Sequence, residues 1–118
     1  MNTDRERLRL GFAKLRKLGW YARMNYWCCQ TCGNYDAFQQ LQKREVPPEE
    51  RNVVFWHNQD NEAFDGYGNL PPGSVLHLTH SGNSRPATEV VEVLTSVGLN
   101  VCWPGQDQGR RIEVRTAA

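Results

Sequence analysis

The chain has 118 residues, of which 39% are hydrophobic and 23% charged, with a formal net charge of +1 at pH 7. A chain of this length can bury roughly two-thirds of its unfolded surface, so one domain spanning residues 1–118 is expected. The near-neutral charge argues against nucleic-acid and membrane partners, because both need a basic field. The N-terminus lacks the apolar segment of a secretory signal and no apolar run matches a membrane span, which predicts a cytoplasmic protein with reduced thiols.

The first predicted element is a helix from Asp4 to Leu18. Thr3 and Glu6 have the spacing of a capping box, and apolar residues then recur at helical intervals. Gly19 supplies the left-handed residue that ends many helices. The residues from Trp20 to Cys28 then alternate between two faces, which predicts a strand and turns Cys28 toward the core.

A cysteine-rich segment, Cys28-Cys29-Gln30-Thr31-Cys32-Gly33, follows this strand. Its C-x-x-C-G ending is typical of a metal-binding turn, in which glycine lets the backbone turn back without a Cβ clash. Asn34 is then predicted to cap a second helix that buries Phe38 and Leu41, and the prolines after Val46 end it.

The rest of the chain is predicted to form four strands and one helix, with a long polar loop between the first two of these strands. The predicted strands are 53–57, 75–80, 99–103 and 111–115, the helix begins at Pro86 and ends at Gly98, and 104–109 is a turn region. Together with the first half of the chain, the order is helix, strand, helix, strand, strand, helix, strand, strand. It predicts an α+β domain with a mixed or antiparallel sheet of about five strands and about three helices.

Zinc is the metal that the cysteines suit best, since thiolates bind this borderline-soft ion well. Cys29 and Cys32 have the C-x2-C spacing and form the best pair of ligands. A closed site needs two more, for which the candidates are Cys28, His57, His77, His80 and Cys102. His77 and His80 are three residues apart on one strand and cannot both ligate the same ion.

Two other interpretations of the cysteines remain open. Free cysteines often act as small buried hydrophobic residues with no further role. Alternatively, a strand followed by Cys-x-x-Cys and a helix is the arrangement that lowers a thiol pKa in thiol oxidoreductases.

Two polar segments could also carry chemistry. His57-Asn58-Gln59-Asp60 follows a buried strand, and its imidazole, amide and carboxylate could act with a cysteine as a Cys-His hydrolase. A turn that hydrogen-bonds to its own backbone explains the same segment more simply. Ser81-Gly82-Asn83-Ser84-Arg85 could hold an anion with free amides, although an ordinary loop is the simpler interpretation.

The sequence resembles an uncharacterised family of small bacterial domains of unknown function. The likeness is carried by the C-C-x-x-C-G segment at 28–33, by F-x-H-x-Q-D at 55–60, and by Leu76-His77-Leu78. It runs from about Leu8 to Arg115 and implies a shared fold without naming an activity. It also implies that the cysteine cluster and His57 belong to one site. Gln59 and Asp60 form a further candidate polar site.

These observations predict a small cytoplasmic binding or regulatory module that acts on a protein partner. Its site is expected to hold zinc with Cys29, Cys32 and His57, and with Cys28 or a water completing the tetrahedron. An enzyme that uses the same cluster, as a thiol oxidoreductase or a Cys-His hydrolase, is the alternative.

Overall fold

The structure is a computed structural model that describes residues 2–104 and 110–116. The elements in chain order are α1 (Asp4–Leu18), β1 (Tyr21–Arg23), α2 (Gln30–Lys43), β2 (Asn52–Phe55), β3 (Leu76–Gly82), α3 (Ala87–Ser96), β4 (Asn100–Cys102) and β5 (Ile112–Arg115). Two short 3-10 helices, Pro48–Glu50 and Asp60–Ala63, lie in the connections. The predicted α+β class and the predicted order of helices and strands are confirmed.

The five strands form one mixed sheet with the order β1-β2-β3-β5-β4. β1 and β2 are parallel and are joined through α2, whereas the other neighbouring pairs are antiparallel. Residues that follow β1 and β2 therefore emerge at the same edge of the sheet. The cysteine segment and the segment from His57 to Asp60 both start there.

Helices cover both faces of the sheet. The larger core lies between one face and the pair α1 and α3, and its largest side chains include Trp56, Phe12 and Leu8, all fully buried. The smaller core lies on the other face beneath α2, where Ala37 and Leu41 contact Val53 and Phe55. The smaller core therefore holds α2 against β1 and β2.

The first helix has the predicted bounds and caps. The Thr3 hydroxyl accepts a hydrogen bond from the Glu6 N–H at 3.2 Å, and Gly19 has a φ of +111°. Apolar side chains of its inward face are fully buried, as helical spacing predicts. Within the described residues, no helix has both the length and the apolar character that a membrane crossing requires.

The structure corrects four predictions for the cysteine segment and α2. The strand predicted to reach Cys28 ends at Arg23, and α2 begins at Gln30 rather than after Asn34. Cys28 is exposed instead of turned toward the core, because the alternation of a strand does not continue that far. Phe38 is 52% exposed, since α2 rests on the sheet through Ala37 and Leu41.

The C-terminal elements are close to their predicted positions. β3, β4 and β5 lie within one or two residues of the predicted strands, and Gly98 follows α3 with a φ of +98°. Pro86 is the N-cap of α3 and not its first residue. In the predicted turn region 104–109, residues 105–109 lie outside the described part of the chain.

Candidate metal and thiol site

Three cysteines lie together where α2 begins. The Sγ atoms of Cys28, Cys29 and Cys32 are all within 4.8 Å of one another, and those of Cys28 and Cys29 are 3.9 Å apart. A tetrahedral zinc–thiolate site needs Sγ atoms roughly 3.8 Å apart, which follows from a Zn–S bond of about 2.3 Å. Cys28 and Cys32 are exposed and Cys29 is half-buried. The cluster could therefore hold a metal with little movement.

The C-x-x-C pair forms the first turn of a helix. Cys29 is the N-cap of α2, and its Sγ accepts a hydrogen bond from the Cys32 N–H at 3.5 Å. Serine and threonine hydroxyls cap helices in the same way, so here a thiol takes their place. The predicted metal-binding turn is thus a helix N-terminus, where the backbone N–H groups favour negative charge.

The two thiols of this pair differ in acidity. The backbone hydrogen bond from Cys32 is the main cause that lowers the pKa of the Cys29 thiol. The pKa of Cys32 is raised to about 11. The largest cause is its hydrogen bond to the Cys29 thiol, and the next is its hydrogen bond to Cys28. Cys29 is therefore the thiol that becomes the thiolate, and Cys32 holds its proton beside it.

The loop before the cysteines has an unusual backbone. Asn25 and Trp27 adopt left-handed conformations with φ of +48° and +64°, which are rare for residues other than glycine. The Tyr26 N–H donates to the Trp56 carbonyl at 2.7 Å, and the Asn58 N–H donates to the Trp27 carbonyl at 2.8 Å. The loop is thus held against the chain segment that flanks His57.

Asp36, on α2, fixes the same loop from the other side. Its carboxylate accepts a short hydrogen bond from the Tyr26 hydroxyl, and this bond is the main cause that lowers the pKa of Asp36, ahead of a side-chain hydrogen bond from Trp27. Burial and the hydrogen bond to Asp36 raise the pKa of Tyr26. The strained loop is therefore anchored by both its backbone and its aromatic side chains.

Gly33 has a different role from the one predicted. It is buried inside α2 rather than in a reversing turn, and an added Cβ would lie 2.5 Å from the ring of Phe55. The glycine thus allows the first turn of α2, with its cysteines, to rest directly on the end of β2. The C-C-x-x-C-G segment and the F-x-H-x-Q-D segment are thus in contact at Gly33 and Phe55.

The ring of His57 is directed to Asp60. Its Nε2 lies 3.1 Å from the Asp60 carboxylate and its Nδ1 accepts the Asp60 N–H at 3.4 Å. The same carboxylate pairs with Arg111 at 3.1 Å. His57 is 6% exposed, and the group of metal-competent side chains found in the described residues contains the three cysteines without His57. The backbone brings the two motifs together, while both ring nitrogens of His57 already have partners.

The other candidates lie apart from the cluster or are engaged elsewhere. Gln59 is exposed next to Asp60. Cys102 is exposed on β4, at the edge of the sheet opposite to β1. His77 lies on β3 with Glu113 of β5 as its neighbour, and the Nε2 of His80 lies 2.7 Å from the Arg110 carbonyl.

The loop after β3 does not offer free amides to an anion. The N–H groups of Asn83, Ser84 and Arg85 all donate to the Oδ1 of Asn52, at 2.9–3.0 Å. The guanidinium of Arg85 pairs with Glu89 at 2.9 Å. The loop is therefore held from inside the protein, in agreement with the simpler interpretation.

Sequence reasoning did not find Asp36 and Arg111. Asp36 lies four residues after Cys32, but nothing local shows that it binds the aromatic residues before the cysteines. Arg111 is 51 positions from Asp60, and only the pairing of β3 with β5 brings the two together. Both depend on tertiary structure that a local pattern does not encode.

The sequence model of a family described as "Domain of unknown function (DUF6891)" matches residues 1–118. The chain belongs to this family. This agrees with the resemblance drawn from the cysteine and F-x-H-x-Q-D segments, and it places those segments within a domain whose role is not established. Neither a curated protein nor a solved structure matches the chain.

Proposed function

We propose that this DUF6891 domain is a zinc-binding module in which Cys28, Cys29 and Cys32 are the ligands. The observation that carries the proposal is the convergence of their three Sγ atoms within 4.8 Å. Soft thiolates in a tetrahedral arrangement favour zinc among the common divalent ions. The N-terminus of α2 supports the bound thiolates because its N–H groups stabilise negative charge.

The fourth position of this site is held by water or by a ligand from a partner. The exposure of Cys28 and Cys32 leaves the cluster accessible to either. His57 is the remaining candidate from the chain. Its Nδ1 would have to exchange the Asp60 N–H for the metal, while its Nε2 keeps the Asp60 carboxylate as a partner. A site with three protein ligands and an open position is typical of zinc that binds or transfers a further group.

Metal analysis of untagged protein, purified with reductant, tests the proposal. We expect one zinc per chain, and Cys28→Ser, Cys29→Ser and Cys32→Ser should each lower the zinc content and affinity by tenfold or more. Cys102→Ser is the matched control and should retain the metal. A protein that melts at the same temperature with and without chelator and contains no zinc would contradict the proposal.

We also propose a protein partner at this end of the molecule and a location in the cytoplasm. Trp27, 51% exposed, directly precedes the cysteines, and exposed aromatic residues are enriched in protein interfaces. A reducing compartment keeps the three thiols free to bind metal. Trp27→Ala should weaken partner capture, and the zinc content of the same variant shows whether loss of the bond to Asp36 disturbs the cluster. Capture that is unaffected would place the partner elsewhere.

Thiol–disulfide exchange is the second candidate function, and the capping of α2 by Cys29 favours it. The Cys29 thiolate would attack a disulfide of a substrate protein and release one substrate thiolate. Cys32, once deprotonated, would then displace the second, which leaves a Cys29–Cys32 disulfide and a reduced substrate. Cys28→Ser separates the two functions, since it removes a zinc ligand but neither thiol of this exchange.

A further inference from the structure

A second polar site lies away from the cysteines, beside the edge strand β1. A cleft of about 350 Å³ opens there, and three arginines are among its lining residues: Arg16, Arg23 and Arg44. Arg16 is in the last turn of α1, Arg23 ends β1, and Arg44 caps the C-terminus of α2. Three separate elements therefore bring their guanidinium groups to one cleft.

Aromatic and backbone contacts hold the three side chains in place. The guanidinium carbons of Arg23 and Arg44 lie 4.7 and 5.3 Å from the centroid of the same ring, that of Tyr21. Tyr21 is only 6% exposed, so it is a fixed base for both cations. The Nε of Arg16 donates to the Ala22 carbonyl at 2.8 Å, which leaves its terminal amino groups available.

The positive charge in the cleft is only partly offset, since three arginines and one glutamate are among the residues that line it. Among residues 2–104 and 110–116, no carboxylate lies within ion-pair distance of Arg16, Arg23 or Arg44. Glu50 is the acidic residue among those that line the cleft. Burial, and then the like charge of Arg23, lower the pKa of Arg16. Arg16 and Arg23 thus repel each other, and a bound anion would relieve the repulsion.

The concentration of charge is local, since the whole chain carries a net charge of only +1. Guanidinium groups form paired hydrogen bonds with phosphate oxygens, and several of them around one cleft match a group with more than one negative charge. We propose that this cleft binds the phosphate or diphosphate group of a small phosphorylated molecule. The site is independent of the zinc cluster and of the function proposed for it.

Calorimetry with the full chain tests this proposal, with inorganic phosphate, pyrophosphate and ATP as probes at about 0.1 M salt. Pyrophosphate should bind with a Kd of roughly 1 mM or tighter, and it should raise the melting temperature. Arg44→Gln and Arg23→Gln should each weaken binding by about tenfold while the protein stays folded. Arg16→Lys keeps the charge but loses the planar fork, so it should weaken binding less than Arg16→Gln.

Lys17→Gln is the matched control, because Lys17 neighbours Arg16 on α1 but does not line the cleft. It removes the same charge and should leave the Kd within a factor of about two. Tighter binding of ATP than of pyrophosphate would show that the cleft recognises a nucleotide. Equal binding of the two would show that it recognises the phosphate groups alone. The proposal is overturned if none of the three probes binds at about 5 mM, or if Lys17→Gln weakens binding as much as Arg44→Gln.

Discussion

Asn52 is the buried side chain on which the loop after β3 depends. Its Oδ1 accepts three backbone N–H groups, and its Nδ2 donates to the hydroxyl of Ser84 at 2.9 Å. The residue is 3% exposed, so water cannot easily replace these bonds. Asn52 is at the start of β2, and it thereby fixes the far end of the loop that joins β3 to α3.

We expect Asn52→Ala to lower the free energy of unfolding by about 2 kcal/mol or more, because the N–H groups of Ser84 and Arg85 lose their acceptor, whereas that of Asn83 keeps the Arg51 carbonyl at 3.2 Å. Urea denaturation followed by circular dichroism measures the effect. Asn34→Ala is the control, since Asn34 is exposed within a helix and its loss should change stability by less than about 0.5 kcal/mol. Equal effects for the two variants would contradict the role given to Asn52.

The unequal acidity of Cys29 and Cys32 predicts a pH profile. Deprotonation is the step that makes a thiol reactive, and the pKa of Cys29 is lowered while that of Cys32 is raised to about 11. As the pH rises, metal-free protein should therefore be alkylated at Cys29 first and at Cys32 only near pH 11. Mass spectrometry after brief treatment with iodoacetamide gives the modified fraction of each residue.

The hydrogen bond between the two thiols provides a sharper form of this test. Cys29→Ser removes the thiol that contributes most to the raised pKa of Cys32. The alkylation midpoint of Cys32 should then fall toward that of an ordinary cysteine, near pH 8.5. A midpoint that stays near 11 in this variant would mean that the surroundings of Cys32, and not its pairing with Cys29, set the acidity.

At the scale of the element, α2 is positioned by the contact of Gly33 with Phe55. Alanine forms helices better than glycine by about 1 kcal/mol, so Gly33→Ala would stabilise an isolated helix. Here the added Cβ would overlap a buried ring at 2.5 Å, and such overpacking costs about 1–3 kcal/mol. We expect a net loss of stability and a shift of the cysteine cluster.

Thermal melting and zinc titration check both consequences. Gly33→Ala should lower the melting temperature and weaken zinc binding, because the first turn of α2 carries two of the three ligands. Gly66→Ala is a suitable control, since an added Cβ meets no atom within 4 Å there. If Gly33→Ala were as stable as the original chain and bound zinc equally, the contact with Phe55 would not position the site.

The elements that the sequence predicted well are those with a strong local signal. α1 has a capping box, an apolar stripe and a terminal glycine, and its predicted bounds agree with the structure. The segment from Trp20 to Gly33 was predicted less well, because alternation suggested a strand as far as Cys28. Bonds to Trp56, Asn58 and Asp36 instead hold a loop in which Asn25 and Trp27 are left-handed, and Trp56 and Asn58 are distant from this loop in sequence.

At the scale of the whole molecule, the pairing of strands decides which motif residues meet. The cysteine cluster was predictable because its three members lie within five residues of one another. The placement of His57 was not, since the ring depends on Asp60 and on Arg111, which reaches Asp60 only through the pairing of β3 with β5. Backbone hydrogen bonds join the two segments that carry the resemblance, while a site shared by the cysteines and His57 stays a prediction.

Asp60 connects the end of β2 with the start of β5. Its side chain is 11% exposed, and it bonds to both His57 and Arg111 at 3.1 Å. Asp60→Asn removes the charge that these two residues share and should lower the free energy of unfolding by about 1–3 kcal/mol. A double-mutant cycle with Arg111→Gln should give a coupling of about 1 kcal/mol, which denaturant unfolding can resolve.

The exposed pair of Arg115 and Glu113 is the control for this cycle, and its coupling should be below about 0.5 kcal/mol.

The Asp60→Asn variant also separates the possible fourth ligands of the metal. Three thiolates with water would hold zinc unchanged in Asp60→Asn, because none of these ligands contacts Asp60. If His57 is the fourth ligand, the loss of its carboxylate partner should weaken zinc binding by about tenfold or more. The zinc affinity of this one variant therefore distinguishes a site whose fourth ligand is His57, after β2, from a site whose protein ligands are only the three cysteines at the start of α2.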